Sequence, residues 1–460
     1  MNDAGPWSGR RLHFIGLGGA GMSGLAVVAR ALGAEVTGSD RAETSYLARV
    51  REAGVAPSIG HDAANVPEGA DVEVVVSTAI PPENPERAAA RPRGLRELHR
   101  GELLAEVTAQ KRCIAVAGTH GKTTTTSMIA HALLAIGAEP AYLIGGELRT
   151  TGTNAAWGAG EWIVVEADES DRSFLRLRPE IAVVTNVELD HHTTYASRAE
   201  VDGAFAEFLA ASRRAIVWDR PELRALAGPQ AEAFDVRDAD LRADGVRFGF
   251  DGVDVRLAVP GAHNALNAAA ALSAIRAAGE DVEAAAAALG SFRGAGRRFE
   301  VLGLTAAGAT VVDDYAHHPT EVAATIAAAR TLAPRRVVAL LQPHLYSRTR
   351  LLAREFGAAL AAADVVAVLD VYPARELAED FPGVTGLTIA ETAADAAAGR
   401  PVFWLPGFDD AERALQDLLK DGDLLLVLGA GNVDALGRRL AVLPAADQRS
   451  LRTLGDATRR

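Results

Sequence analysis

Ala117-Gly118-Thr119-His120-Gly121-Lys122-Thr123-Thr124-Thr125-Thr126 is the stretch that decides the fold. The apolar run Cys113-Ile114-Ala115-Val116 precedes it, and apolar-periodic residues continue to about Leu134, so a strand, a glycine loop and a helix follow one another. Backbone N–H groups at a helix start carry partial positive charge and bind phosphate oxygens. A lysine in such a loop adds a point charge on the outer phosphates, and the hydroxyl that follows it can hold Mg²⁺. Val116 stands where the general P-loop pattern has its first glycine, so the chain carries a tighter Gly-Thr-x-Gly-Lys-Thr-Thr form.

Outward from this loop, strand-like and helix-like segments alternate, the pattern of parallel α/β domains. At 460 residues, a prior of roughly 150 residues per domain gives about three. The first block, 1–110, holds a strand at Leu12–Leu17, a glycine turn, a helix to Leu32 and strands at Glu35–Ser39 and Val72–Ser77. Its Pro- and Arg-rich stretch Pro81–Arg96 reads as loop. The second block, 111–296, contains the phosphate loop and strands at Ala141–Ile144, Trp162–Ala167, Ile181–Thr185 and Ala215–Trp218. Small strands between Asp235 and Val259 and a helix at His263–Ala278 complete it. The third block, 297–460, has strands at Thr310–Asp313, Arg336–Leu341, Val365–Leu369, Val402–Leu405 and Leu424–Leu428, and a polar tail after Leu443 that reads as frayed.

Several motifs sit at predicted strand ends. Gly16, Gly18 and Gly21, within Gly16-Leu17-Gly18-Gly19-Ala20-Gly21, fit G-x-G-x-x-G, and Asp40 ends the next strand where a ribose-binding acid would sit. Alone, this turn also fits a dinucleotide-dependent oxidoreductase or glycines that merely let strand and helix pack closely. Glu166-Ala167-Asp168-Glu169-Ser170-Asp171 ends another apolar strand, and an acid there beside a phosphate loop is how P-loop enzymes hold Mg²⁺. His191, in Asp190-His191-His192, is a candidate nitrogen ligand for a second metal. Asn264 and Asn267 lie three apart at a helix start, on one face, and read either as cap or as nucleotide contact. Asp313-Asp314-Tyr315-Ala316-His317-His318 suits ribose and metal-phosphate contacts, and Arg348 and Arg350 after Gln342-Pro343-His344 offer planar forks for carboxylate or phosphate.

Composition excludes some functions. A formal net charge of −13 disfavours nucleic acid as the main partner. The single cysteine, Cys113, cannot form an internal disulfide, which suits a reducing cytoplasm. No apolar run reaches the length of a membrane span, and the first eleven residues lack the order of a signal peptide.

Taken in order, Gly18–Met22, Gly118–Thr126, Glu166–Asp171, Asp190-His191, His263–Asn267, Gly296–Phe299, Asp313–Glu321 and Gln342–Arg350 resemble the Mur ligase family over almost the whole chain. The resemblance implies an N-terminal Rossmann-like domain for a UDP-sugar, a central P-loop ATPase-like domain with a parallel sheet, and a C-terminal Rossmann-like domain for the amino acid. It implies an ATP-dependent acid–amino-acid ligase of peptidoglycan precursor synthesis in the cytoplasm. L-alanine would be joined to the lactyl carboxylate of UDP-N-acetylmuramate through an acyl phosphate, with ATP as co-substrate and Mg²⁺ as cofactor. By the same resemblance Gly18, Gly19, Ala20, Gly21 and Met22, with Asp40 beyond them, would bind the sugar nucleotide. Gly118, Thr119, His120, Gly121, Lys122, Thr123 and Thr124 would wrap the ATP phosphates. Thr123 and Glu166 would hold one Mg²⁺ and His191 a second. Asn264 and Asn267 would reach the adenine side, Arg297 or Arg298 the phosphates, and Asp314 and Tyr315 the nucleotide. His344 and Arg348 would sit near the incoming amino acid. Leu345 departs from the pattern, since an arginine is expected between His344 and Tyr346.

Overall fold

A computed structural model describes residues 5–192 and 194–444. Packing divides the chain into two units: residues up to Asp235 with Asn267–Ala288, and Val236–Leu266 with residues from Leu289 on. Most of the polar tail expected to fray, from residue 445, lies outside the described residues.

The first unit opens with β1 (Arg11–Ile15), β2 (Glu35–Asp40), β3 (Ser58–Ile59), β4 (Val72–Val76) and β5 (Arg96–His99). They pair in the order β3-β2-β1-β4-β5, all parallel. The strand order reverses between β1 and β4, and in open α/β sheets the ligand crevice lies at the carboxyl ends of the strands at such a point. The glycine turn Gly16–Gly21 leaves β1 there, and Ser77–Ile80 leaves β4 beside it.

The second sheet of this unit contains β6 (Arg112–Ala117), β7 (Ala141–Leu148), β8 (Thr153–Ala156), β9 (Trp162–Glu166), β10 (Ile181–Val184), β11 (Arg214–Trp218) and β12 (Glu232–Phe234). Their order is β12-β11-β10-β6-β9-β7-β8, parallel except for β8 against β7. β6 therefore lies between β10 and β9, and the three motifs that follow these strands emerge side by side. The central strands are near-continuous apolar runs because both faces are covered, and Cys113 is buried in β6.

One apolar core joins these two sheets, from Phe14, Leu25 and Val75 to Ile163, Phe174 and Phe208. The helix Ala20–Ala31 packs on β7 and β8 through Gly24: a Cβ there would stand 3.0 Å from the Leu143 side chain and 3.2 Å from Ala155. A polar knot sits within the first sheet. The fully buried Glu86 carboxylate accepts from His13 Nε2 at 2.8 Å, from Ser39 Oγ at 2.6 Å and from Asn65 Nδ2 at 3.1 Å.

Pro81–Arg96, expected as loop, is largely ordered structure. A helix covers Pro85–Ala90, a 3₁₀ turn Arg91–Arg93, and β5 begins at Arg96. Asn84 Oδ1 caps the helix by accepting from Glu86 N at 2.9 Å, and Pro85 occupies the first helical turn. Proline at that position starts a helix rather than breaking one.

The second unit holds the meander β13 (Asp240–Arg242), β14 (Gly245–Phe250) and β15 (Val253–Leu257). It also holds β16 (Glu300–Leu304), β17 (Thr310–Asp314), β18 (Arg336–Leu341), β19 (Val365–Val368), β20 (Val402–Trp404) and β21 (Asp423–Leu428). These six pair in the order β16-β17-β21-β18-β19-β20, parallel except for β16. Apolar clusters cover both faces, one around Val312, Leu341 and Phe356 and the other around Val311, Leu340 and Leu436. The helix Ala262–Ala278 starts in this unit and ends in the first. Among the described residues no helix is long and apolar enough to cross a membrane.

Candidate active site

The first unit gathers most of the predicted phosphate and metal residues. The loop after β6 turns through Gly118 (φ +137°) and Gly121 (φ +80°), left-handed conformations that favour glycine, and enters the helix Lys122–Ala135. A Cβ on Gly121 would stand 2.5 Å from Asn267 Oδ1, so Asn267 lies directly behind the loop; Thr125 Oγ1 donates to the same oxygen at 3.3 Å. Residues after β10 brace the loop from the other side. His120 N donates to Asn186 Oδ1 at 2.8 Å, Thr185 Oγ1 to His120 O at 2.6 Å, and Glu188 N to Thr119 Oγ1 at 2.8 Å.

Lys122 Nζ donates to Gly118 O at 2.5 Å and meets the Glu169 carboxylate at 3.0 Å. Burial pulls its ammonium toward neutrality, but the charges of Glu169, Asp168 and Glu166 outweigh this and hold its pKa above the usual lysine value. Thr123 Oγ1 donates to Glu166 Oε1 at 3.0 Å, and Gly145 N to Glu166 Oε2 at 2.8 Å. A hydroxyl and a carboxylate side by side at the mouth of a phosphate loop are the hard oxygen donors that Mg²⁺ takes. His191, in a left-handed turn (φ +53°), places Nε2 at 3.4 Å from Glu169 Oε1 and 3.7 Å from Asp190 Oδ2. Thus Lys122, Thr123, Glu166 and His191 belong to one connected set.

The glycine turn after β1 is fixed by Asp40, whose Oδ2 accepts from Gly18 N at 2.8 Å. Gly18 has no room for a side chain, since a Cβ would meet Thr44 Oγ1 at 2.7 Å. Asp40 thus shapes the turn directly. Asn264 lies inside the first turn of its helix rather than at its cap, and its amide donates to Pro260 O at 2.6 Å.

The second unit gathers the remaining residues at the ends of β17, β18 and β21. Arg297 (φ +56°) donates from Nε to Asp313 Oδ2 at 3.1 Å, from Nη1 to Gly431 O at 2.9 Å and from Nη2 to Gly429 O at 2.7 Å. Its guanidinium therefore ties the β17 end to the turn after β21. Arg298 lies over the Tyr315 ring, 4.8 Å from the centroid. Asp314 accepts from Phe299 N and Ala316 N, each at 2.8 Å. Asp313 is fully buried, and burial pushes its carboxyl up to about 6 although Arg297 pulls the other way. His344 stacks on Tyr372 with centroids 5.8 Å apart and has Arg348 Nη1 at 3.3 Å from Nδ1. Arg348 is buried, and Leu345 between them takes φ +73°.

Sequence reasoning passed over Glu169 as the partner of Lys122, the bracing roles of Asn186 and Glu188, and Tyr372. Asn186 and Glu188 follow directly on the apolar strand run Ile181–Thr185, and that position was the available signal; Tyr372 carried none.

Three family models cover the chain in order: "Mur ligase family, catalytic domain" over residues 11–112, "Mur ligase middle domain" over 116–275, and "Mur ligase, glutamate ligase domain" over 297–431. A UDP-N-acetylmuramate–L-alanine ligase of Rubrobacter xylanophilus is 46% identical over 94% of this chain and 99% of its own length. The chain belongs to the Mur ligase family. Another relative of the same name, from Thermobifida fusca, is 45% identical over 94% of this chain and 96% of its own length. Among solved structures, the UDP-N-acetylmuramate–alanine ligase of Thermotoga maritima aligns with a TM-score of 0.81 at 27% identity, over 94% of this chain and 98% of that one. A murein peptide ligase of Psychrobacter arcticus aligns at 0.71 with 27% identity, over the same shares. The three-domain α/β organisation of Mur ligases accounts for the three parallel sheets seen here.

Proposed function

We propose that this chain joins L-alanine to the lactyl carboxylate of UDP-N-acetylmuramate, converting ATP to ADP and phosphate, in peptidoglycan precursor synthesis. The observation that carries the reading is identity of 45–46% over nearly the full length to ligases of that name. The phosphate loop supplies the chemistry. A carboxylate is a poor electrophile until it gains a leaving group. Its oxygen attacks the γ-phosphorus, an O–P bond forms, the β–γ bridge breaks and ADP leaves. The alanine nitrogen then attacks the acyl carbon, an amide bond forms, phosphate departs, and the amine proton passes to solvent.

In this scheme the Gly118–Thr124 N–H groups and Lys122 hold the phosphates and stabilise charge on the transferring group. Thr123 and Glu166 would hold one Mg²⁺ and His191 would contribute to a second; the bound metal would supply positive charge against the negative charge of the phosphates. Asn264 and Asn267 serve the adenine side, Arg298 the phosphates, Asp314 and Tyr315 the nucleotide, and Arg297 orders the turn it bonds. Gly18–Met22 seat the sugar nucleotide, with Asp40 holding the turn, and His344 with Arg348 receive L-alanine. The domains that carry these tasks are 1–110, 111–296 and 297–460, a division supported by the spans of the three family models. The cytoplasm, where ATP and reduced thiols are kept, suits both the reaction and Cys113.

The test is ADP release with UDP-N-acetylmuramate, ATP and Mg²⁺ against L-alanine, glycine, L-serine and an L-alanyl tripeptide. ADP that appears only with the sugar nucleotide and fastest with L-alanine is the expected result. Turnover with the tripeptide but not with L-alanine would point instead to murein peptide ligation.

A further inference from the structure

Arg100 stands between the two sites of the first unit. It opens the helix Arg100–Thr108 directly after β5. Its Nη2 donates to Asp168 Oδ2 at 2.7 Å and to Asp171 Oδ2 at 2.7 Å, and its Nε donates to Asp171 Oδ2 at 3.1 Å. Those contacts use one edge of the guanidinium. The other nitrogen, Nη1, has no hydrogen-bond partner among the described residues, and a Cβ built on Gly21 would stand 3.5 Å from it. The unused donors therefore lie against the glycine turn that closes the sugar-nucleotide crevice, and the side chain keeps 20% of its surface open. Thr78, from the loop after β4, adds a second tie by donating to Asp171 Oδ2 at 3.0 Å. The acidic loop so held is the one whose Glu169 meets Lys122.

An arginine with one edge committed to carboxylates and the other facing a phosphate-binding turn is a bridging group, because its fork fixes both directions at once. We propose that Arg100 contacts an anionic oxygen of the sugar nucleotide through Nη1 while its other edge holds the Glu166–Asp171 loop beside Lys122. The assignment rests on the function proposed above. The anionic oxygen belongs either to the pyrophosphate or to the lactyl carboxylate, which share this chemistry.

The test is calorimetric binding of UDP-N-acetylmuramate, UDP-N-acetylglucosamine and a non-hydrolysable ATP analogue with Mg²⁺ to the full chain and to Arg100→Lys. Lysine keeps a charge for Asp168 and Asp171 but cannot serve both edges. UDP-N-acetylmuramate should bind about tenfold or more weakly, while the analogue stays within about threefold. An equal loss for UDP-N-acetylglucosamine places the contact on the pyrophosphate; a loss confined to UDP-N-acetylmuramate places it on the carboxylate. Unchanged sugar binding, or equal weakening of sugar and analogue, overturns the proposal. Should Arg100→Lys fail to fold by circular dichroism, Arg100→Gln serves in the same assay with the same criterion for the sugar. Parent protein that neither binds UDP-N-acetylmuramate nor releases ADP refutes the function and this inference together, whereas an active parent with an unaffected variant refutes this inference alone.

Discussion

Lys122 Nζ lies 3.0 Å from each carboxylate oxygen of Glu169. In the role proposed for Lys122, the γ-phosphate of ATP would have to compete with that carboxylate for the ammonium. If Lys122 stabilises the transferring group as proposed, Lys122→Ala removes that charge. ADP release with UDP-N-acetylmuramate should fall by at least about a hundredfold, the scale seen when one preorganised transition-state donor is lost. A coupled ADP assay on folded variant checks it, and normal turnover there would refute the role.

Thr123 and Glu166 are bonded to one another at 3.0 Å. If they share a Mg²⁺, Thr123→Val and Glu166→Gln should each raise the Mg²⁺ concentration for half-maximal ADP release by about tenfold or more. Chelation of the metal should stop turnover of the parent protein. A Mg²⁺ titration identical to the parent's would remove both residues from the metal site.

Arg348 is buried beside His344, and Leu345 leaves no second arginine between them. A buried fork that loses its bidentate geometry binds a carboxylate poorly. Arg348→Lys should therefore raise KM for L-alanine by about tenfold while KM for UDP-N-acetylmuramate stays within about twofold. Equal changes in both constants would mean that Arg348 supports the fold of the second unit rather than the amino acid.

Glu86 makes stability depend on acid pH. Burial alone would push its carboxyl up, but hydrogen bonds from His13, Ser39 and Asn65 outweigh burial and hold it at about 2, against 4.5 when unperturbed. A depressed carboxyl pKa contributes stability that is fully present above the unfolded value and is lost as pH falls through the folded one. The contribution, about 3 kcal/mol at neutral pH, should decline between pH 4.5 and 2. Urea unfolding at neutral pH and at pH 3 measures it, and Glu86→Gln should flatten that acid limb. An unchanged limb in the variant would assign the acid sensitivity to other carboxylates.

Strong local signals carried most of the fold. Strands such as β6, β10 and β18 are apolar runs long enough to read unaided, and the loop Gly118–Thr124 stood out because glycine, lysine and threonine occur together after one of them. Short or edge strands such as β3, β8 and β16 have no comparable run, since an edge strand has fewer buried positions to fill. The helix Pro85–Ala90 was hidden because Pro85 reads as a breaker unless Asn84 is recognised as its cap. Within the site, charge type and spacing pointed to Lys122, Glu166 and His191. The pairing of Lys122 with Glu169, and of Arg100 with Asp168 and Asp171, joins residues far apart in the chain. Such pairings follow from strand order, which no local pattern states.

Cys113 is the one thiol in the 460 residues, and it is sealed inside β6 with its pKa pushed up to about 12 by burial. A thiol of that kind is almost entirely unionised at neutral pH and out of reach of maleimides or peroxide. The molecule is therefore a natural blank for site-directed labelling: a cysteine introduced at any exposed position would take a dye alone, so distances between chosen points could be followed during turnover with no native sulfhydryl to remove first.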